Sequence, residues 1–451
     1  MTARILEAPP MLTYYLRLAL KSLRRTPGLT ALMVCAIALG IGTCVVTLTV
    51  YHAMSGNPIW WKNNVLYAVT MDSWSAHEPY DTDHPQLAPP QLTYKDATYL
   101  MQSNIPKRKA MMSLLLGMLS GAPGQTLPLH VMTRVTSGDF FPMFDVPFEY
   151  GGGWSAAADR ETQPVIVLSQ KVNEQLFGGT DSVGHTVLWN GHQFRVVGVM
   201  NDWHPLPLFY DVVDGAFRPP EDAYVPFGWV IALKELPAGN TSSWGPARIT
   251  SFEDLLTSDA VWTEMWVELP DAASRQRFQA YIDAYWAAQR RAGRFPRPLN
   301  NHLTRVGQWL KVNGVVSSDS RILLRVAFAF LAVCLINTIG ILLTKFLRGA
   351  SITGVRRALG ASRNQVFLQH LVEVAVVSLT GGLIGLGLGA LGLSAVRALY
   401  AGDQSYRMLA HFDPLGVAWA LALAALSTLA AGLYPAWAVG RLPPAVYLKT
   451  R

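Results

Sequence analysis

Residues 345–389 read KFLRGASITGVRRALGASRNQVFLQHLVEVAVVSLTGGLIGLGLG, a basic loop set between two apolar runs. Val326–Thr344 before it and Val374–Val396 after it carry no charged side chain. At about 20 apolar residues, each run is long enough to cross a bilayer as a helix. Inside the loop, Ile352, Val355 and Leu359 recur at helical spacing, which predicts a short amphipathic helix. Lys345, Arg348, Arg356, Arg357 and Arg363 place the loop on the cytoplasmic side by the positive-inside rule. Such a helix is either a handle for another protein to push on or a basic surface resting on anionic lipid.

Composition agrees with a membrane protein. The 451 residues are 51% hydrophobic and only 15% charged, against roughly 25% charged in soluble domains. The net charge of +7 does not point to nucleic acid, because the basic residues sit beside apolar runs and do not cluster in one soluble domain. The three cysteines, Cys35, Cys44 and Cys334, all fall inside apolar runs, which gives neither a disulfide framework nor metal-ligand spacing.

Working outward, Met11–Arg25 predicts an amphipathic helix with Arg17, Lys21 and Arg24 on one face and Leu12, Leu16, Ala19, Leu20 and Leu23 on the other. Leu29–Val50 is uncharged and longer than a signal-peptide core, so it reads as a retained first span. Pro414–Gly440 is a further span, followed by Arg441, Lys449 and Arg451. The topology is four transmembrane α-helices with both termini cytoplasmic. The stretch between the first two spans is expected outside the cytoplasm, and Trp309–Arg325 is expected to run as a helical stalk into the second span. Gly381, Gly385 and Gly389, four residues apart, form a small-residue face for close helix packing in the third span. Asn337, the strongly polar residue of the second span, is expected to bond to another helix.

The exported stretch shows no enzyme. It has no HExxH and no GxSxG, and Pro79 follows His77-Glu78, which does not continue a zinc helix. Asn190-Gly191 between β-rich runs predicts a two-residue hairpin. That hairpin holds His185 and His192 roughly 13 Å apart along the strands, too far to share a metal. Asp202-Trp203-His204 reads as structural, and Trp60-Trp61 as a marker of the membrane interface. PVIVLS at 164–169 predicts a buried strand and Phe278–Ala292 a helix. No catalytic, cofactor-binding or metal-binding residue is assigned.

GVRRALGAS and the glycine-rich span after it resemble the coupling segment of ABC-transporter permeases of the MacB and FtsX type. VTSGDFFPMFDVPFEYGG (135–152), VIVLSQKVNEQLFGGTDSVGHTVLWNGHQFRVVGVM (165–200), DAYVPF (222–227) and AGLYPAWAVGRLPPAVYLK (431–449) resemble the same family in its own order. The resemblance implies a large extracytoplasmic mixed α/β region, with a stalk-proximal part at 53–133 and 253–318 and an inserted β-rich part at 134–252. It implies a cytoplasmic amphipathic helix at 1–28, spans at 29–52, 322–346, 365–398 and 413–440, a coupling helix at 347–364, an outer loop at 399–412 and a tail at 441–451. Ile352, Val355, Arg356, Arg357, Leu359 and Gly360 would contact a separate ATPase subunit, which binds the ATP. No GxxxxGK[ST] phosphate loop occurs in these residues. The family text has an acidic residue where this chain has Ile352, beside Thr353, which suggests pairing with a different second permease; a homodimer whose ATPase has changed to match is the alternative. The expected role is efflux from the periplasm across a bacterial inner membrane, together with a periplasmic adaptor and an outer-membrane duct. Lipoprotein release, or FtsX-like regulation of cell-wall enzymes, are the alternatives.

Overall fold

In the computed structural model the described residues are 11–121, 127–244, 249–316, 318–399, 422 and 432–437. The chain divides into two compact units, Met1–Met54 with Val316–Arg451, and Ser55–Val315.

The first unit is helical. The amphipathic helix Met11–Arg25 leads into the first span, Pro27–Ser55. The second span, Ser318–Arg348, is followed by a short helix, Ala350–Ala358, and by the third span, Arg363–Leu399. Three of these helices are long and apolar enough to cross a membrane. Of the expected fourth span only 422 and 432–437 are described; these are helical, and Gly432 abuts Val374 of the third span. The outer loop at 399–412 and the tail at 441–451 lie outside the described residues, apart from Leu399. Met33, Ile37, Ile41 and Val45 of the first span pack with Ala327 and Leu331 of the second and Val374 and Val377 of the third. The amphipathic helix buries Tyr15, Ala19 and Leu23, while Leu16 and Leu20 of the expected apolar face stay exposed. Its buried seam is therefore rotated from the sequence reading, because Tyr15 takes the inner position.

The second unit is built on one mixed sheet of eleven strands. In chain order they are β1 (Leu66–Thr70), β2 (Leu92–Thr93), β3 (Arg108–Ser120), β4 (Leu129–Thr136), β5 (Phe148–Gly151), β6 (Val165–Leu168), β7 (Thr186–Trp189), β8 (His192–Met200), β9 (Ala223–Pro226), β10 (Val261–Glu268) and β11 (His302–Arg305). Across the sheet the order is β11-β1-β10-β3-β4-β9-β6-β8-β5, with β2 on β10 and β7 on β3 and β8. The pairs β4–β9 and β6–β8 are parallel and the others antiparallel. The expected boundary at Arg134 falls inside β4, and strand pairing crosses it without a break.

Both faces of this sheet are covered, and alternate residues of one strand enter different cores. Tyr67 and Val69 of β1, with Ile166 and Leu168 of β6, join Phe278, Ile282 and Tyr285 of the helix Ala272–Arg291. Leu66 and Ala68, with Val165 and Val167, join Phe140, Phe144, Tyr210 and Trp309 on the opposite face. The helix Ala272–Arg291 starts at a reciprocal cap, in which Asp271 Oδ1 accepts from the Ser274 amide and Ser274 Oγ accepts from the Asp271 amide. The expected hairpin is present. Trp189 pairs with His192, and Asn190 and Gly191 take φ of 47° and 80°, the left-handed pair that such a two-residue turn requires.

The expected stalk helix is interrupted. A helix at Val306–Val312 ends at Asn313-Gly314, where Gly314 has φ of 62°, and the next helix starts at Ser318. Glycine adopts this left-handed conformation at no steric cost, so Asn-Gly here acts as a helix stop.

Candidate functional site

The basic-loop helix Ala350–Ala358 begins directly after the second span and ends at Gly360, whose φ of 103° turns the chain toward the third span. Ser362 then caps that span, its Oγ accepting from the Gln365 amide at 3.2 Å. On this helix and turn, Val355 is 45% and Leu359 83% exposed. Two apolar side chains held in the open beside charged neighbours form a small contact surface. Arg356 points the other way, donating to Gln369 at 2.6 Å and to the Tyr14 hydroxyl at 3.0 Å. Arg357 is half-buried, and the side chains of Ile352 and Thr353 lie outside the described residues. The structure thus brings Val355, Leu359 and Gly360 to one exposed turn and uses Arg356 to tie the loop to the amphipathic helix.

The glycines of the third span face the first. A Cβ at Gly381 would come within 2.8 Å of Ile37 Cγ2, one at Gly385 within 2.9 Å of the Ala38 carbonyl oxygen, and one at Gly389 within 2.9 Å of Val45 Cγ1. Gly42 of the first span answers them, 3.1 Å from the Gly385 carbonyl by the same measure. Backbones this close admit no side chain between them. Asn337, in contrast, lies exposed on the second span, and no bond joins it to another helix among the described residues.

An ion pair ties the second span to the third. Lys345 Nζ donates to Glu373 Oε1 at 2.5 Å, and Ser22 Oγ donates to the same oxygen at 2.7 Å. The pair joins the amphipathic helix and the second and third spans.

The exported unit holds a buried charged network that sequence reasoning missed. Arg134 of β4 is fully buried and donates through Nη2 to Asp211 and Glu221. Arg218 donates to Asp211 Oδ2 at 2.6 Å and to Glu221 Oε1 at 2.7 Å, and Tyr210 donates to Glu221 Oε2 at 2.8 Å. Glu264 of β10 accepts from Gln91 at 2.5 Å, and its other oxygen lies 3.6 Å from Arg134 Nη1. Burial opposes charge on Glu221, but the guanidiniums of Arg134 and Arg218 overcome it and hold its carboxyl at about 2. Burial and the neighbouring Asp211 charge push Asp214 up to about 6. Burial, then the charge of Asp211, raises Glu264 well above the ordinary carboxylate range. Asp211, Asp214 and Glu264 each place an oxygen within 4.8 Å of the others, as metal ligands do. Here Arg134 and Arg218 supply positive charge to the cluster, and burial favours the protonated form of Glu264. No signal in the sequence connects these residues, because they come from separate strands and loops.

The other sequence candidates are scattered. His185 and His192 sit at opposite ends of their hairpin, since the His185 carbonyl accepts from the Val196 amide and His192 pairs with Trp189. His204 pairs with Asp202 at 2.6 Å on the surface, while Trp203 stacks on Tyr210. Trp60 and Trp61 are exposed, and Trp61 Nε1 donates to Asp145 at 2.9 Å.

Comparison with known proteins accounts for both units. Residues 30–285 match the MacB-like periplasmic core domain, and residues 325–444 match the FtsX-like permease C-terminal domain. A macrolide export ATP-binding/permease protein MacB from Azoarcus sp. (strain BH72) is 29% identical over 317 residues, covering 67% of this chain and 40% of that protein. The uncharacterized ABC transporter permease YknZ of Bacillus subtilis (strain 168) is 26% identical over 238 residues, 52% of this chain and 50% of that one. The chain therefore spans half or less of the length of these relatives. Among solved structures, the periplasmic region of MacB from Actinobacillus actinomycetemcomitans aligns at 12% identity and a TM-score of 0.35, covering 56% of this chain and 94% of that one. With one family domain matching more than half of its length and a second matching most of the remainder, the chain belongs to the ABC-transporter permeases that carry a MacB-like periplasmic core domain and an FtsX-like permease domain.

Proposed function

We propose that this chain is the permease subunit of a MacB-type ABC transporter, moving its exported unit in response to ATP turnover by a separate ATPase subunit. The observation that carries this reading is the exposed apolar pair, Val355 at 45% and Leu359 at 83%, on a short helix between two spans. An apolar pair of this kind gains free energy on docking, and the 451 residues carry no phosphate-loop motif, which supports a reading in which a separate subunit binds the ATP. The stroke enters through this helix, passes along the glycine-packed spans, and acts on a substrate already outside the cytoplasm. Both termini and the basic loop are cytoplasmic in this scheme, and the membrane is the bacterial inner membrane. The names of the relatives favour export over the alternatives, and the scheme adds an adaptor and an outer-membrane duct as further partners. The second permease of the pair is a different chain, because Ile352 and Thr353 replace the acidic contact that a self-paired complex would need twice.

The test is Leu359→Asp. A carboxylate pressed into an apolar dock costs several kcal/mol when unpaired. The variant should lose co-purification of the ATPase and transport while the exported unit still melts normally. Undiminished association and transport would overturn the assignment. A lipoprotein carrier in place of an outer-membrane duct among the retained partners would move the reading from efflux to lipoprotein release.

A further inference from the structure

The helical unit contains a second feature that the docking helix does not use. A cavity of about 440 Å³ opens between the amphipathic helix, the end of the second span, the basic-loop helix and the start of the third span. That volume lies within the roughly 300–1,000 Å³ range of small-molecule sites. Five cationic side chains line it, Lys21, Arg25, Lys345, Arg348 and Arg356, against one carboxylate, Glu373. Glu373 is already taken by Lys345 and Ser22. Arg356 is held in the wall by Gln369 and Tyr14, so its guanidinium is fixed rather than free to turn outward. Lys21, Arg25 and Arg348 have no hydrogen-bond or ion partner among the described residues. His370 in the same wall is 7% exposed, and neither ring nitrogen has a hydrogen-bond partner. Its Nδ1 stands 3.7 Å from Glu373 Oε2, beyond hydrogen-bonding range.

We propose that this basin binds a phosphate group, supplied by the headgroup of an anionic phospholipid or by a free phosphate-bearing solute. Charge and geometry both argue for that class. Like charges drawn from separate elements repel one another unless an anion sits between them. Several cations converging on one centre suit a group with multiple acceptor oxygens better than a single carboxylate. Basic pockets between membrane helices, at the level where a span meets water, take phospholipid headgroups. Once bound, the anion would bridge Lys21 and Arg25 of the amphipathic helix, Arg348 of the second span and Arg356 of the basic-loop helix, holding that helix in its docked attitude.

The experiment uses the full chain, purified and placed in nanodiscs of phosphatidylcholine, with phosphatidylglycerol added in one arm and inorganic phosphate in another. Native mass spectrometry reads the lipid retained on the protein, and thermal unfolding reads stabilisation. The Lys21→Gln/Arg348→Gln double variant should lose retained phosphatidylglycerol by roughly tenfold or more, as expected for two basic contacts. A charge-matched Arg24→Gln/Arg363→Gln variant, altered outside the cavity, should retain it, and Lys21→Arg should retain it as well. Stabilisation by inorganic phosphate alone, lost in the cavity variant, supports the site and names the soluble source. Equal loss in the cavity and control variants would show diffuse surface attraction and overturn the proposal. So would unchanged lipid and phosphate binding in a cavity variant that no longer holds an ATPase, since the cations would then serve an acidic protein partner. Monodispersity of each variant on size exclusion keeps a folding failure from passing as lost binding.

Discussion

At the scale of single residues, the informative positions are those whose charge the fold forces to a choice. Arg134 stands between Asp211, Glu221 and Glu264 with no solvent to share the load. Removing it should therefore be costly, about 3–5 kcal/mol for a broken buried pair. Arg134→Met should lower the melting temperature of the exported unit sharply, followed by the fluorescence of buried Trp189, Trp262 and Trp266. Glu264→Gln should behave differently. Burial raises the Glu264 carboxyl well above the ordinary range and so favours its neutral form, and an amide of the same shape should shift stability by no more than about 1 kcal/mol near neutral pH. A large loss with Glu264→Gln would mean that the carboxylate is charged. The pH dependence carries a sign. Asp214 and Asp159 are each raised from 3.8 to about 6, Asp159 mainly by burial, so the folded state keeps protons that the unfolded chain has released. Stability should fall as pH rises from about 4 to about 6. Glu221 contributes the opposite slope: its stabilisation is complete above 4.5 and is lost as pH falls toward about 2. The Asp214→Asn/Asp159→Asn variant should flatten the upper slope and leave the lower one; an unchanged upper slope would reject this account.

At the scale of elements, packing between the first and third spans makes a sharp contrast between neighbouring glycines. A Cβ at Gly385 meets the Ala38 carbonyl oxygen, a backbone atom that cannot swing aside, whereas a Cβ at Gly387 meets nothing within 4 Å. Gly385→Ala should force the helices apart and cost about 1–3 kcal/mol, the usual penalty of overpacking. Gly387→Ala should be neutral or slightly stabilising. Equal melting of the two variants in detergent would contradict the packing. This seam was legible in the sequence because a four-residue glycine period has one physical use inside an apolar run. The hairpin was legible for a similar reason: Asn190-Gly191 can occupy two successive left-handed positions and most pairs cannot. Of the central strands, β6 was legible as the apolar run PVIVLS. β1 and β9 were not: they are buried on both faces, so no polar residue alternates with an apolar one to reveal their period. The Arg134 network was hidden for a different reason: its members come from β4, β10 and the loop around 211–221, and only sheet pairing brings them together. The stalk was misread as one helix because Asn313-Gly314, inside Trp309–Arg325, went unrecognised as the stop that it is.

At the scale of the whole molecule, the first-order division is between a helical unit and an exported sheet unit inserted between the first two spans. The topology can be checked with one probe. Gln193 is exposed on β8, and the native cysteines all lie within the spans. Gln193→Cys should react with a membrane-impermeant maleimide in cells whose outer membrane has been permeabilised. Reaction only after rupture of the inner membrane would reverse the orientation. Within the exported unit, the first and last strands, β1 and β11, are hydrogen-bonded neighbours at one edge of the sheet. The segments outside them are also clipped together, with Asn63 Oδ1 accepting from the Gly307 amide at 2.9 Å and from Asn57 at 3.0 Å. A unit whose two ends leave side by side is a cassette. It can be excised and joined across a short linker, or exchanged for another of equal footing, without rerouting the helices that carry it.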